Sequence, residues 1–175
     1  MRHGAAGSIE APALLLVRNC RRTIAMTLIV VTALLISAPL ASQERGQPDP
    51  SISPGDVVRI QLRALQSNDR PSPDAGIRTV WTFAHPANKR QTGPLSRFAA
   101  MIKGPGCRSL INHRHHQIKM LAKTDNRADF AVQVTAADGK VYFYIWQVAP
   151  VNQAGAMGVW MTIGVSPPHL TGEET

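Results

Sequence analysis

The sequence predicts an α+β domain in which three N-terminal helices pack on one face of a curved, four-stranded antiparallel sheet, giving a cone-like fold. Two observations lead to this prediction. All the amphipathic helical segments precede all the strand segments, as in α+β folds and unlike alternating βαβ units. The run from Arg127 to Val165 then contains three apolar segments. The first, 128–136, alternates apolar and polar residues with a period of two, and the turn dipeptide Asp138-Gly139 follows it.

Composition fits one folded domain with a targeting segment. The chain has 175 residues, of which 44% are hydrophobic and 17% are charged. The net charge is +8, but the fifteen basic and ten acidic residues after residue 42 give only +5. The basic residues are scattered, with Lys89-Arg90 the only adjacent pair in this part, so we expect no nucleic-acid partner. Cys20 lies in the N-terminal segment, which leaves Cys107 alone and predicts no disulfide framework.

Residues 1–42 are predicted to be a signal peptide or an N-terminal membrane anchor. Arg18 and the pair Arg21-Arg22 precede an apolar run from Ile24 to Leu40, the order typical of a signal peptide. The small residues Ala41-Ser42 suit cleavage, but a run of about 17 residues also suits an uncleaved anchor. The arginine pair also fits a twin-arginine export signal. Each alternative places the domain outside the cytoplasmic membrane, either periplasmic or anchored and facing outward.

A polar, proline-rich linker at 43–53 leads into the first predicted helix. Ser53 is the expected N-cap and Pro54 the first helical residue, while Asn68-Asp69 ends the helix. Apolar residues and Gln61 recur at spacings of three and four between them, which predicts one buried face.

Two further helices are predicted from the same spacing. The second ends near His85, before Pro86, and 86–88 is predicted to be a turn. The third ends at Gly104-Pro105-Gly106. Their apolar positions are Ile77, Val80, Trp81 and Ala84 in the second helix, and Leu95, Phe98, Ala99 and Ile102 in the third.

Four strands follow, at about 113–123, 128–136, 140–149 and 157–165, so the domain is predicted to span 54–167 with a flexible tail at 168–175. If Asp138-Gly139 is a two-residue turn, Val134 faces Phe143 and Val132 faces Ile145 on the inner face of the sheet. The same register predicts an outer row of aromatic rings. Its members are Tyr142, Tyr144, Trp146 and Trp160.

An outer aromatic row on a monomer needs a cover, because large exposed apolar patches are uncommon. We therefore predict a homodimer formed through this face of the sheet. The alternative is that the rings are covered by the tail after Pro167 or by the connection at 150–155.

Several short motifs resemble those of an uncharacterised bacterial family known by a domain-of-unknown-function label. The motifs are Ser53-Pro54-x-Asp56-Val57-Val58, Asp74-Ala75-Gly76-Ile77-Arg78, Phe83-Ala84-His85-Pro86-Ala87-Asn88, Thr92-Gly93-Pro94, Asn112-His113-Arg114 and Trp160-Met161-Thr162. The succession of helices and sheet is also similar to the nuclear transport factor 2-like and SnoaL-like superfamily. This resemblance covers about residues 53–167 and implies a cone-shaped fold, but no established activity, cofactor or catalytic residue. This chain departs from the family pattern in carrying His115-His116 after the Asn-His-Arg motif.

The most distinctive local motif is His113-Arg114-His115-His116. On a strand, His113 and His115 would share a face and offer two ligands to zinc or another divalent ion. The third ligand would be His85 or Cys107, neither of which is placed by spacing. A polar strand start is the simpler interpretation, so no metal or other cofactor is predicted.

A pocket between helices and sheet is predicted to be lined by Trp81, Phe98, Phe143 and Met161. The sheet positions expected there are apolar apart from Gln147, which favours a non-catalytic module that binds a small apolar ligand or another envelope protein. The alternative is a small isomerase or lyase, since members of the similar superfamily use such a pocket for isomerase, dehydratase or cyclase chemistry. For that alternative His85 is the candidate acid or base, although a histidine at a helix end usually has a hydrogen-bonding role.

Overall fold

The computed structural model describes residues 46–173 and confirms an α+β fold with an antiparallel sheet. The predicted signal peptide or anchor lies outside the described residues, as does the start of the predicted linker. Within 46–173, no helix has both the length and the apolar character needed to cross a membrane.

Four α-helices precede the sheet in the described part of the chain, one more than predicted. They are α1 at Pro54–Gln66, α2 at Ala75–Thr82, α3 at Pro86–Thr92 and α4 at Leu95–Lys103, followed by a 3-10 helix at Arg108–Leu110. The additional helix is α3, in the region predicted to be a turn. None of its residues is buried, so its sequence carries no apolar periodicity that would reveal it.

The start of α1 and its buried face agree with the prediction. The hydroxyl of Ser53 accepts a hydrogen bond from the backbone N–H of Asp56 at 3.2 Å, as expected for an N-cap. The face turned to the sheet buries Val57, Val58, Gln61, Leu62 and Leu65. This face supplies much of the helical side of the core.

Close contact between α1 and α2 depends on Gly76. A Cβ atom at this position would lie 2.2 Å from the carbonyl oxygen of Ala64, so only glycine fits. The connection between the helices is tied by the buried Asn68, whose Oδ1 atom accepts a hydrogen bond from the Ile77 N–H at 3.1 Å.

The sheet has five strands in the described residues. They are β1 at His115–Lys123, β2 at Ala128–Thr135, β3 at Lys140–Pro150, β4 at Trp160–Val165 and β5 at His169–Glu173. The order is β1-β2-β3-β4, all antiparallel, and β5 pairs with the first half of β3. The predicted domain end at residue 167 is therefore too early, because the sheet continues into the segment predicted to be a tail.

The hairpin between β2 and β3 has a three-residue loop at 137–139, where a two-residue turn was predicted. The Ala136 N–H donates to the carbonyl of Lys140 at 2.8 Å, and Gly139 has a φ of 85°. A three-residue loop with a left-handed glycine in last place is a common hairpin connection, and it also accommodates an Asp-Gly pair.

The additional loop residue makes the predicted register wrong by one position. Val132 lies opposite Tyr144, and Val134 lies opposite Tyr142. Because side chains alternate along a strand, this shift exchanges the two faces of β3. Tyr144 and Trp146 are consequently buried in the core beneath the helices.

The predicted outer aromatic row is therefore not present. Tyr142 and Trp160 are half-buried and pack against the same core. Phe143 and Ile145, predicted to point inward, lie on the opposite face of the sheet from Tyr144. The predicted homodimer loses the exposed aromatic row on which it was based, and it stays a prediction.

Candidate functional site

A cavity of about 250 Å³ lies between the helices and the inner face of β3 and β4. Its walls are mostly apolar and come from α1, α2, α4, the 3-10 helix, β3 and β4. The largest apolar contributions come from Leu65, Val80, Phe98, Ile102, Leu110 and Trp146. All of these side chains belong to the buried core, so the cavity is an opening in the core itself.

A buried hydrogen-bond network around Thr162 forms part of the cavity lining. The hydroxyl of Thr162 accepts from the indole N–H of Trp146 at 3.0 Å and from the side-chain amide of Gln61 at 2.8 Å. The same hydroxyl donates to the Oε1 atom of Gln61 at 3.1 Å. Gln61 also donates to the carbonyl of Val57 at 3.0 Å. The network satisfies its own members, as buried polar groups require.

The backbone of Thr162 holds the connection between α2 and α3 against β4. Its N–H donates to the carbonyl of Phe83 at 2.9 Å, and its carbonyl accepts from the N–H of His85 at 2.8 Å. The side-chain amide of Asn88 donates to the same carbonyl at 3.3 Å. These bonds hold the first turn of α3 against β4, and Asn88 in that turn lines the cavity.

The polar side of the cavity comes from α3. Asn88, Gln91 and Thr92 all line it. The hydroxyl of Thr92 donates to the carbonyl of Asn88 at 2.8 Å. Gln91 is exposed to solvent, and its amide has no protein partner within the described residues. Gln91 therefore offers a donor and an acceptor to a bound molecule.

Cys107 is the only ionisable side chain in the cavity lining described by the structure. Burial raises the pKa of its thiol, which keeps it protonated and unreactive near neutral pH. The lining contains no carboxylate, imidazole or amino group among the described residues. The cavity therefore lacks an acid or base able to exchange protons at neutral pH.

Tyr144 lies close to the thiol, but its phenol is not free. The hydroxyls of Tyr144 and Ser109 are hydrogen-bonded to each other. Burial raises the pKa of Tyr144 to about 12, and the hydrogen bond to Ser109 offsets part of that effect. The phenol is therefore a neutral core group.

Only one of the four predicted pocket residues lines this cavity. Phe98 does, and Trp81 packs on it with ring centroids 5.0 Å apart. The Nζ atom of Lys89 lies 5.6 Å from the centroid of the Trp81 ring. Phe143 and Met161 lie on the outer face of the sheet, because each is adjacent in its strand to a residue that points inward.

His85, the predicted acid or base, is the N-cap of α3. Its Nδ1 atom accepts a hydrogen bond from the N–H of Ala87 at 3.1 Å, so this ring nitrogen is unprotonated. Burial, followed by the positive charge of Arg90, lowers the pKa of His85. These contacts give His85 a capping role, and it is not in the cavity lining.

His113 and His115, the candidate metal ligands, do not share one face of a strand as expected. β1 begins at His115, whose side chain is exposed, and His113 precedes the strand. The ring of His113 is hydrogen-bonded instead to His116, with 2.7 Å between Nε2 and Nδ1. Within residues 46–173, no group of three or more His, Cys, Asp or Glu side chains is arranged to hold a metal ion.

Sequence reasoning did not identify Gln61 and Thr162 as a buried polar pair in the cavity lining. Gln61 falls on the apolar face of α1, and Thr162 falls among apolar residues of β4. A polar residue at each of two core positions is the signal that could have indicated a buried hydrogen bond between them.

Comparisons with protein-family models, with curated proteins and with solved structures find no match to this chain. The resemblance to an uncharacterised bacterial family and to the nuclear transport factor 2-like superfamily therefore stays a prediction.

Proposed function

We propose that this domain binds a small, uncharged, mostly apolar molecule in the cavity between its helices and its sheet, and that it does so without catalysis. The observation that carries the proposal is the cavity of about 250 Å³, with apolar walls and amide groups on one side. Apolar cavities of about 150 Å³ accept benzene, so this cavity corresponds to a ligand of about ten non-hydrogen atoms.

The lining favours a ligand without charge. A buried charge is costly unless an opposite charge or several hydrogen bonds compensate it, and the described lining offers no charged partner. It does offer the amide of Gln91, which has no protein partner in the described part of the chain, and that of Asn88, whose bond to Thr162 is long at 3.3 Å. A ligand with an apolar body and one hydroxyl or carbonyl group fits these features best.

A binding role is also preferred to an isomerase or lyase role. Proton transfer needs a group whose pKa lies near the working pH, and Cys107 is the only ionisable residue of the described lining. Burial moves its pKa further above neutrality.

The proposal keeps two finer expectations from the sequence. One is cone-like curvature of the sheet, which would hold its inner face away from the helices and leave room for a ligand. The other is export, which would place the ligand or partner outside the cytoplasmic membrane; the apolar run at 24–40 supports it.

The experiment is a titration of the full-length protein with each of three probes, benzyl alcohol, cyclohexanone and free indole. Binding is monitored by the NMR signal of the Trp146 side-chain N–H. This proton lies at the wall of the cavity, so binding should shift its signal in a saturable manner. Xenon under pressure serves as a probe that needs no hydrogen bond.

Three variants test whether the probes bind in the cavity or elsewhere on the protein surface. Val80→Phe should block binding because the larger side chain fills the cavity. Gln91→Ala should lower the affinity for benzyl alcohol by about tenfold through loss of one hydrogen bond. Gln117→Ala, an exposed glutamine on β1, is the matched control and should bind normally. The proposal is wrong if no probe shifts the Trp146 signal, or if folded Val80→Phe binds as well as the unmodified protein.

A further inference from the structure

β4 is the last strand in the order of the sheet, so one of its edges pairs with no other strand of the described chain. At Thr162 the connection between α2 and α3 covers this edge, because the backbone groups of Thr162 are bonded to Phe83 and His85. Gly164 and Val165 lie beyond that connection, and within residues 46–173 they pair only with β3. This short length of β4 therefore keeps a free edge.

Val165 turns both of its backbone polar groups toward the free edge. The N–H of Ser166 donates to the carbonyl of Ile145 at 2.9 Å, so the N–H of Ser166 faces β3. Hydrogen-bonded and non-hydrogen-bonded pairs alternate along antiparallel strands, which makes Val165 and Trp146 a non-hydrogen-bonded pair. The N–H and the carbonyl of Val165 therefore point away from β3, and neither has a protein partner within the described residues.

The cavity between the helices and the sheet opens beside this free edge. Residues 163–165 line it, together with the polar residues of α3. Among the lining residues that the structure describes, only Gln91 of α3 and Met101 of α4 are exposed, so the mouth of the cavity lies next to them. α3 begins at the connection that is bonded to Thr162, so Gln91 and the free edge of β4 border the same opening.

We propose that the cavity binds a peptide-type amide, whose N–H and carbonyl pair with the backbone of Val165 while its apolar side chain fills the cavity. This inference rests on the function proposed above and narrows its ligand to one residue of an extended peptide, or to an acylated and amidated amino acid. Addition of a peptide to the free edge of a sheet is a recurring mode of recognition. Backbone bonds hold the peptide, and pockets take its alternate side chains.

The direction of the ligand's side chain follows from the pairing. Residues directly opposite each other on antiparallel strands turn their side chains to the same face of the sheet. Val165 lies opposite Trp146, which is buried in the core, so the side chain of Val165 is on the inner face. A ligand residue that pairs with Val165 in the antiparallel sense therefore turns its side chain to the inner face, where the cavity lies.

The size and the polarity of the cavity fit such a ligand. A volume of about 250 Å³ holds a phenyl ring, since apolar cavities of about 150 Å³ accept benzene. The described lining has no charged side chain, which suits an uncharged amide. The exposed amide of Gln91 stands at the mouth and offers a donor and an acceptor to the next peptide unit.

N-acetyl-L-phenylalanine methylamide is the probe, added to the full-length protein. Two NMR signals are followed, the Trp146 indole N–H for the cavity and the Val165 backbone N–H for the free edge. We expect the probe to shift both signals and to slow hydrogen exchange at the Val165 N–H. The backbone N–H of Gly164 is the internal control, because alternation turns it toward β3, and it should exchange slowly with and without the probe.

Two analogues of the probe separate the backbone contact from the side-chain contact. Methylation of the phenylalanine nitrogen removes the donor to the Val165 carbonyl and should lower the affinity by about tenfold. N-acetyl-L-alanine methylamide keeps both backbone groups but has no ring, so it should bind at least about tenfold more weakly than the phenylalanine amide.

The outcomes distinguish this inference from the proposed function. The inference is overturned, and the proposed function stands, if benzyl alcohol shifts the Trp146 signal while the phenylalanine amide binds no better than its N-methylated analogue. The same holds if the phenylalanine amide leaves the Val165 N–H unmoved. Both are overturned if neither benzyl alcohol nor any of the amides shifts the Trp146 signal.

Discussion

Substitution of Thr162 by valine tests the buried hydrogen-bond network in the cavity lining. Valine has nearly the shape of threonine but no hydroxyl, so the change removes hydrogen bonds without leaving a void. The indole N–H of Trp146 loses its acceptor at 3.0 Å, and the Oε1 atom of Gln61 loses its donor at 3.1 Å. One N–H of Gln61 is also left without its acceptor, while the other still reaches Val57.

The expected cost follows from the groups that lose their partners. Each buried group without a partner costs about 1–3 kcal/mol, so Thr162→Val should lose about 3 kcal/mol or more. A domain of this size is stable by about 5–15 kcal/mol, so the loss is a large fraction. Thr162→Ser, the control, keeps the hydroxyl and loses one methyl group, which costs about 1 kcal/mol.

Urea unfolding of the full-length protein measures the difference. With a denaturant slope of about 1–3 kcal/mol per molar, the valine variant should unfold about 1 M or more below the serine variant. The Trp146 indole N–H signal should also move in the valine variant alone. Equal midpoints for the two variants would refute the reasoning, since they would mean that water entering the cavity satisfies Trp146 and Gln61 at little cost.

Two other predictions concern packing and pH. Gly76→Ala should destabilise the protein by more than the 1–3 kcal/mol typical of overpacking, because the new Cβ would lie 2.2 Å from the carbonyl oxygen of Ala64. The control is Gly106→Ala, since a Cβ at residue 106 has no atom within 4 Å. Thermal unfolding compares the two variants, and equal melting temperatures would contradict the prediction. The raised pKa of Tyr144 means that the folded state holds its proton more tightly than the unfolded state. Stability should therefore fall as the pH rises from about 10 to about 12, and a Tyr144→Phe variant with the same slope would contradict the assignment.

Local signals in the sequence predicted most elements of the fold. The structure has helices where the sequence shows the N-cap at Ser53 and the apolar periodicity of α1, α2 and α4. A helix that buries one face carries apolar residues at spacings of three and four, so its sequence reveals it. The short α3 has no buried face, so it carries no such signal and was missed.

Register was not predictable from the same signals. An Asp-Gly pair suits a two-residue turn and also the last two positions of a three-residue loop, so local turn chemistry does not choose between them. Tyr144 and Trp146 have both aromatic and polar character, and their alternation with Phe143 and Ile145 fits either face of β3. Tertiary hydrogen bonds from the Trp146 indole to Thr162 and between the Tyr144 and Ser109 hydroxyls fix which face of β3 is buried. These partners lie far from Trp146 and Tyr144 in the sequence.

Thr162 connects the cavity with each layer of the domain, and its contacts differ in strength. Its side chain joins α1 to β3 through buried bonds of 2.8 to 3.1 Å, all enclosed by the core. Its carbonyl holds the side chain of Asn88 at 3.3 Å, and α3 itself has no buried residue. Movement of α3 therefore exposes less apolar surface than movement of α1 would, and it disturbs a longer hydrogen bond. Access to the cavity should cost least on the α3 side, where Gln91 already offers its amide to an entering polar group.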